Sequence, residues 1–201
     1  MIHQHIRLFP THVFTFHLPE NRNAEWKHYI EQHGTDSEYG VQTHSDLDKL
    51  ELFKPLVDSA LTCTAEINTK LGYRDDYELE ITSMWGQVLA ENKAFFPHTH
   101  SNNVWSGVYY AASADNDEHN TIEFFDSRMQ AHVFEPSKTK STTDIAARES
   151  LRPPPGYGII FPSWLMHWVP TVSSGGRCSI AWNILMRGEF GDKDSRQWAT
   201  I

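Results

Sequence analysis

In the run Arg177-Cys178-Ser179-Ile180-Ala181-Trp182-Asn183, two kinds of residue alternate. Arg177, Ser179, Ala181 and Asn183 are charged, small or polar, while Cys178, Ile180 and Trp182 are apolar. Successive side chains of a β-strand leave on opposite faces, so the run reads as a strand with an apolar layer on one side and a polar space on the other. A guanidinium turned inward among small neighbours needs a carboxylate to offset its burial. Either Asp126 or Glu123 supplies it, or a bound ligand does.

The same two-residue period extends outward from this run. It predicts strands over 77–88, 94–100, 104–112, 121–126, 130–135, 157–161, 165–170 and 176–186, separated by polar or Gly/Pro breaks. Short strands with no helix between them indicate a mainly β fold, an antiparallel double sheet of the jelly-roll kind. Segment 136–152 is polar and rich in Ser and Thr, a long excursion that reads as a lid or flexible loop. Upstream, residues 12–18 place His12, Phe14, Phe16 and Leu18 on one face of an early strand. Asn23 can cap a helix in which Trp26, Ile30 and His33 share a face before Gly34. A second helix is expected from Pro55 to Gly72, with Val57, Leu61, Thr64, Ile67 and Leu71 as its inner stripe. Both helices are expected to buttress the sheet, in a single domain spanning 1–201 whose core covers about 76–188.

Composition narrows the function classes. A formal charge of −9 repels phosphate backbones and argues against general nucleic-acid binding, although one buried Arg can still hold a small anion. The longest apolar runs are broken by Gly, Pro and Ser, so no membrane span is expected, and Met1 to Pro10 lacks the apolar core of a signal peptide. Cys63 and Cys178 stand far apart in no metal-type spacing and are expected to be reduced, which suits a cytoplasmic protein.

Among the 12 histidines, most have no spacing that suggests a ligand set. His98 and His100 do: they follow Ala94 to Pro97 two residues apart, so in a strand both imidazoles project from one face toward one ion. A buried run, Gly158 to Met166, then delivers His167, and Arg177 follows ten residues later.

The order of these motifs, His98-Thr99-His100, Ser106-Gly107-Val108-Tyr109-Tyr110, Phe161 to His167, then Arg177-Cys178-Ser179 and Asn183, resembles the iron(II)/2-oxoglutarate oxygenase superfamily on its prolyl-hydroxylase-like side. More narrowly it is similar to a bacterial and phage group of 2OG-Fe(II) oxygenases over roughly 76–188, and Leu8-Phe9-Pro10 matches the start of that group. The resemblance implies a double-stranded β-helix, cupin-like, that holds Fe(II) through His98, His100 and His167. It implies that Arg177, with Ser179, anchors the distal carboxylate of the cosubstrate 2-oxoglutarate, that Tyr110 assists and that Asn183 lines the pocket. Trp164, Trp168 and Trp182 read as packing. The activity implied is hydroxylation of a small molecule or peptide side chain by molecular oxygen, with release of succinate and CO2.

Position 100 departs from the superfamily pattern, which places Asp or Glu there. Two His and one carboxylate are the familiar non-haem iron set; three neutral imidazoles leave the ion more positive and suit zinc or nickel as well. Two other readings are therefore a cupin-type three-histidine dioxygenase that uses no 2-oxoglutarate, and a metal-binding jelly roll without catalysis.

Overall fold

The structure, a computed structural model, describes residues 4–19, 22–113, 121–172 and 174–201. The first part of the chain forms β1 (Phe14–His17), α1 (Asn23–His33), β2 (Thr35–Ser37), β3 (Gly40–Gln42) and α2 (Lys54–Leu71). Strands β4 (Glu78–Leu89), β5 (Phe95–His98), β6 (Trp105–Ala112), β7 (Ile122–Phe125) and β8 (Arg148–Leu151) follow. The chain continues with β9 (Tyr157–Pro162), β10 (His167–Val169) and β11 (Arg177–Arg187), then a terminal pair, β12 (Glu189–Phe190) and β13 (Ala199–Thr200). A seven-stranded sheet, β1-β9-β6-β11-β4-β3-β2, faces a four-stranded one, β5-β10-β7-β8, and every ladder in both is antiparallel. This is the jelly-roll architecture the alternation implied. No helix among the described residues is long and apolar enough to cross a membrane.

Two cores lie on opposite faces of the large sheet. On its outer face, Trp26 and Ile30 of α1 and Leu56, Ala60 and Ile67 of α2 pack against Met84, Tyr109, Ile180 and Trp182. Between the sheets, Val108, Tyr110, Ile122, Phe124, Ile159 and Phe161 fill the second core. Gly107 explains how a tryptophan fits the first: a Cβ there would stand 2.3 Å from the Trp182 ring, so only glycine admits it. The helix ends follow their residues. Pro55 sits in the first turn of α2, and Gly72 closes the helix in the left-handed region (φ 81°).

Several expectations need correction. The buried stripe of α2 is Leu56, Ala60, Thr64, Ile67 and Asn68, and Val57, Leu61 and Leu71 only flank it. Asn68 is inside because its amide oxygen accepts from Trp105 Nε1 at 2.9 Å. His33 is exposed and stacks on Tyr29, leaving Trp26 and Ile30 as the inner face of α1. Asn23 is the first residue of α1, not its cap, and its side chain accepts from the Tyr109 hydroxyl. In β1 only Phe14, Phe16 and Leu18 turn inward, while His12 is exposed.

The strand expected over 130–135 is a 3₁₀ turn, Met129–His132. Asp126 folds it back by accepting from the Arg128 backbone N–H, the Arg128 guanidinium and His132 Nε2. The excursion 136–152 is not all loop: its last part is β8, an edge strand paired with β7 from Ile122↔Leu151 to Phe125↔Arg148. Its Arg-Glu-Ser-Leu sequence carries the charge that edge strands tolerate, which hid it among polar residues. The hairpin β2–β3, which extends the large sheet past β4, had no apolar alternation to announce it.

Candidate active site

His167 opens β10, and its neighbours across the small sheet are His98 at the end of β5 and Phe124 of β7. The strand expected to carry both His98 and His100 stops at His98. His100 lies beyond it and is placed by a different contact, its backbone N–H donating to the Ser163 carbonyl at 2.9 Å. The three imidazoles nevertheless converge, with one ligand nitrogen from each within 4.8 Å of the others. Nε2 of His100 and Nε2 of His167 are 3.3 Å apart. Two nitrogens bound about 2.0–2.1 Å from one ion stand roughly 3–3.4 Å apart, so the spacing fits a shared cation.

Backbone carbonyls fix which nitrogen each ring offers. His98 Nδ1 bonds to the Phe96 carbonyl at 2.7 Å and His167 Nδ1 to the Leu165 carbonyl at 2.9 Å, which leaves Nε2 of both rings free to coordinate. His167 is 4% exposed, and His98 and His100 are more open. Burial lowers the His167 imidazole to about 3 despite its bond to Leu165, with His98 and His100 pushing the same way. Burial, then the charge of His98, lowers His100 to about 4. Both rings are thus neutral at neutral pH, the form that binds metal.

A cleft runs from these histidines between the sheets to Arg177, passing Trp85, Ala181 and Ser179. Antiparallel register arranges its large-sheet wall in rows across β4, β11 and β6. Trp85, Ala181 and Val108 form one row, and Gln87, Ser179 and Tyr110 the next. Arg177 is 2% exposed and lies over the Tyr110 ring, 5.1 Å from its centroid. Among the described residues no carboxylate pairs with it. Asp126 is taken by Arg128 and His132, and Glu123 by Arg148, Ser150 and Trp168. Arg177 Nε, the Tyr110 hydroxyl and Gln87 Nε2 are all buried without a hydrogen-bond partner. Burial raises the Tyr110 phenol, and the Arg177 charge offsets this only in part.

The structure therefore brings His98, His100, His167, Arg177 and Ser179 to one cleft, with Tyr110 buried beneath Arg177 and outside the lining. Asn183 is placed elsewhere. It sits one row past Trp85–Ala181–Val108, outside the cleft lining, where Ser106 Oγ donates to its oxygen at 2.7 Å and its nitrogen donates to Ser83 Oγ at 3.0 Å. Ser106 also bonds Ser163, in the turn that leads to His167. Of the tryptophans read as packing, Trp182 is buried and Trp168 half-buried, but Trp164 is 55% exposed. Trp85 and Gln87 line the cleft and had not been singled out from the sequence. Their spacing of two matches that of Ser179 and Ala181 opposite them, but the face they take is set by the register with β11.

A family model described as "Putative 2OG-Fe(II) oxygenase" matches residues 83–183, half of the chain. No curated protein matches the sequence. Among solved structures, the chain is similar to a 2OG-Fe(II) oxygenase family oxidoreductase from Burkholderia pseudomallei (13% identity, TM-score 0.60, 85% of this chain and 84% of that one). It is similar to a Pseudomonas putida prolyl-4-hydroxylase (12% identity, TM-score 0.57, 86% of this chain and 92% of that one). It is also similar to HygX from Streptomyces hygroscopicus, solved with nickel and 2-oxoglutarate bound (11% identity, TM-score 0.58, 95% of this chain and 92% of that one).

Proposed function

The chain belongs to the 2OG-Fe(II) oxygenase family, and from that premise we propose that it hydroxylates an unactivated C–H bond of a small molecule or peptide side chain. In that reaction one oxygen atom of O2 enters the substrate and the other enters succinate as 2-oxoglutarate loses CO2. Iron(II) supplies the oxygen chemistry when bound; the protein supplies position and a sheltered space.

Nε2 of His98, His100 and His167 would hold the ion, a donor set that leaves positions open for cosubstrate and oxygen. At the far end of the cleft, Arg177 would take the distal carboxylate of 2-oxoglutarate through its fork of N–H donors, with Ser179 and Tyr110 beside it. The observation that carries this reading is the Arg177 guanidinium, buried in the same cleft as the three histidines and left without a carboxylate among the described residues. Phe95, Val108, Ile122 and Phe161 make the space between them apolar. Both cysteines are unpaired, which supports a reducing, cytoplasmic setting.

Anaerobic titration tests the proposal. About one iron(II) should bind per chain, and adding 2-oxoglutarate should produce a metal-to-ligand charge-transfer band. A three-histidine dioxygenase without 2-oxoglutarate, or an inert metal site, would show no such band. His167→Ala should abolish stoichiometric iron binding while the far-ultraviolet circular dichroism stays that of the parent. Unchanged iron affinity would remove His167 from the site.

A further inference from the structure

Gln87 is 5% exposed, lines the cleft and has an amide nitrogen without an acceptor among the described residues. A buried donor left unpaired is costly, so native proteins rarely keep one unless something else satisfies it. Its position is specific. In the β4–β11–β6 register Gln87 stands opposite Ser179, whose other neighbour is Tyr110, and Arg177 is two residues along on the same face. Directly opposed side chains start about 4.5–5.5 Å apart, close enough for this row to meet on one small group. Of the unpaired atoms here, Arg177 Nε and Gln87 Nε2 can only donate and the Tyr110 hydroxyl can donate, and no acid among the described residues lines the cleft. Such a cluster calls for an acceptor-only group, and a carboxylate offers about four acceptor sites.

We infer that Gln87 is a binding residue for 2-oxoglutarate, donating from Nε2 to the distal carboxylate that Arg177 holds. The inference rests on the reading of Arg177 above and adds a residue from a different strand. Arg177 approaches from β11 with Tyr110 from β6 on one flank; Gln87 approaches from β4 on the other. Contacts from both flanks fix where the carboxylate ends and therefore how far the cosubstrate reaches toward the histidines. Gln87 so favours a 2-oxo acid with a second carboxylate over one without it.

The test uses the iron(II)-loaded protein under anaerobic conditions, with 2-oxoglutarate and 2-oxobutyrate, which lacks the distal carboxylate, as calorimetric probes. Gln87→Met should raise the Kd for 2-oxoglutarate on the order of tenfold to a hundredfold, the range for one hydrogen bond to a charged group. It should leave the Kd for 2-oxobutyrate unchanged. Gln87→Glu, closer in shape, carries the test if the Met variant does not fold, and the same selective loss is expected. Equal losses for both acids, or 2-oxoglutarate affinity within twofold of the parent, would overturn the inference. Arg177→Met measured alongside separates the two ideas. If it weakens 2-oxoglutarate while Gln87→Met does not, only Gln87 is misassigned; if neither changes binding, the carboxylate end of the cleft is misplaced.

Discussion

Two polar rows cross the same face of β4, β11 and β6, with Trp85, Ala181 and Val108 between them, and they meet their hydrogen-bonding needs in opposite ways. In the row Ser83–Asn183–Ser106 each side chain finds a partner in the row itself. In the row Gln87–Ser179–Tyr110, with Arg177 beside it, three buried polar atoms find none. Backbone, burial and strand pairing are alike in the two, so the difference lies in residue choice. Hydroxyls and an amide can both donate and accept, and they close on themselves. A guanidinium cannot accept at all, and Arg177 Nε and Gln87 Nε2 meet no acceptor among the described residues. The first row is finished by folding; the second keeps donors open, which supports the cosubstrate reading proposed above.

The largest effect expected from breaking this contrast is at Arg177. Arg177→Met keeps length but removes the charge and the donor fork, and should cost about 2–5 kcal/mol of 2-oxoglutarate affinity, read by calorimetry. Because the cation has no carboxylate partner among the described residues, the melting temperature should hold or rise. A fall in stability with undiminished cosubstrate binding would mean that Arg177 serves the fold.

Asn183 should behave in the reverse sense. Asn183→Ala leaves Ser83 without a partner and Ser106 with Ser163 alone, and should destabilise the fold by about 1–3 kcal/mol in urea unfolding. Its effect on 2-oxoglutarate affinity should be much smaller. Strong loss of cosubstrate with little loss of stability would return Asn183 to the pocket.

The smallest effect is expected at Tyr110, whose hydroxyl is buried but unpaired. Tyr110→Phe should be neutral for stability at pH 7 and weaken 2-oxoglutarate by about 1 kcal/mol. The pH dependence has a defined sign. The folded phenol titrates above its ordinary value, chiefly through burial, so above about pH 10 the unfolded chain releases a proton that the folded one keeps. Stability then falls as pH rises. The Phe variant lacks this loss, so the stability gap between the two proteins should change in its favour above pH 10, measured by urea unfolding at stepped pH.

The two rows also show what a sequence discloses. The faces of β11 were legible because nothing interrupts the alternation from Arg177 to Asn183: Cys178, Ile180 and Trp182 do enter the helix-side core, and Arg177, Ser179 and Ala181 do line the cleft. Gln87 was not, because β4 slips register by a bulge, pairing Asn183 with Ser83 but Ile184 with Ile81. After that slip the period of β4 changes phase, and which side Gln87 takes depends on a partner strand. The fate of Asn183 was hidden for a similar reason, since its partners are 77 and 100 positions away along the chain. The histidines were found for a reason only half right: His98 belongs to a strand, but His100 reaches the site through a turn. The 3₁₀ turn at Met129–His132 was missed because it is held by the Asp126 side chain, an interaction that periodicity does not register.

Ser163 ties the distant parts of this site into one mechanical unit. Its N–H is held by Val104, its carbonyl holds the His100 amide, and its hydroxyl meets Ser106, while the same turn runs directly on to His167. Two of the three nitrogen donors are therefore carried on a common mount, and a displacement of that turn moves them together. A substitution that unsettles this turn is therefore expected to disturb both nitrogens at once, through the backbone and not through either ring alone.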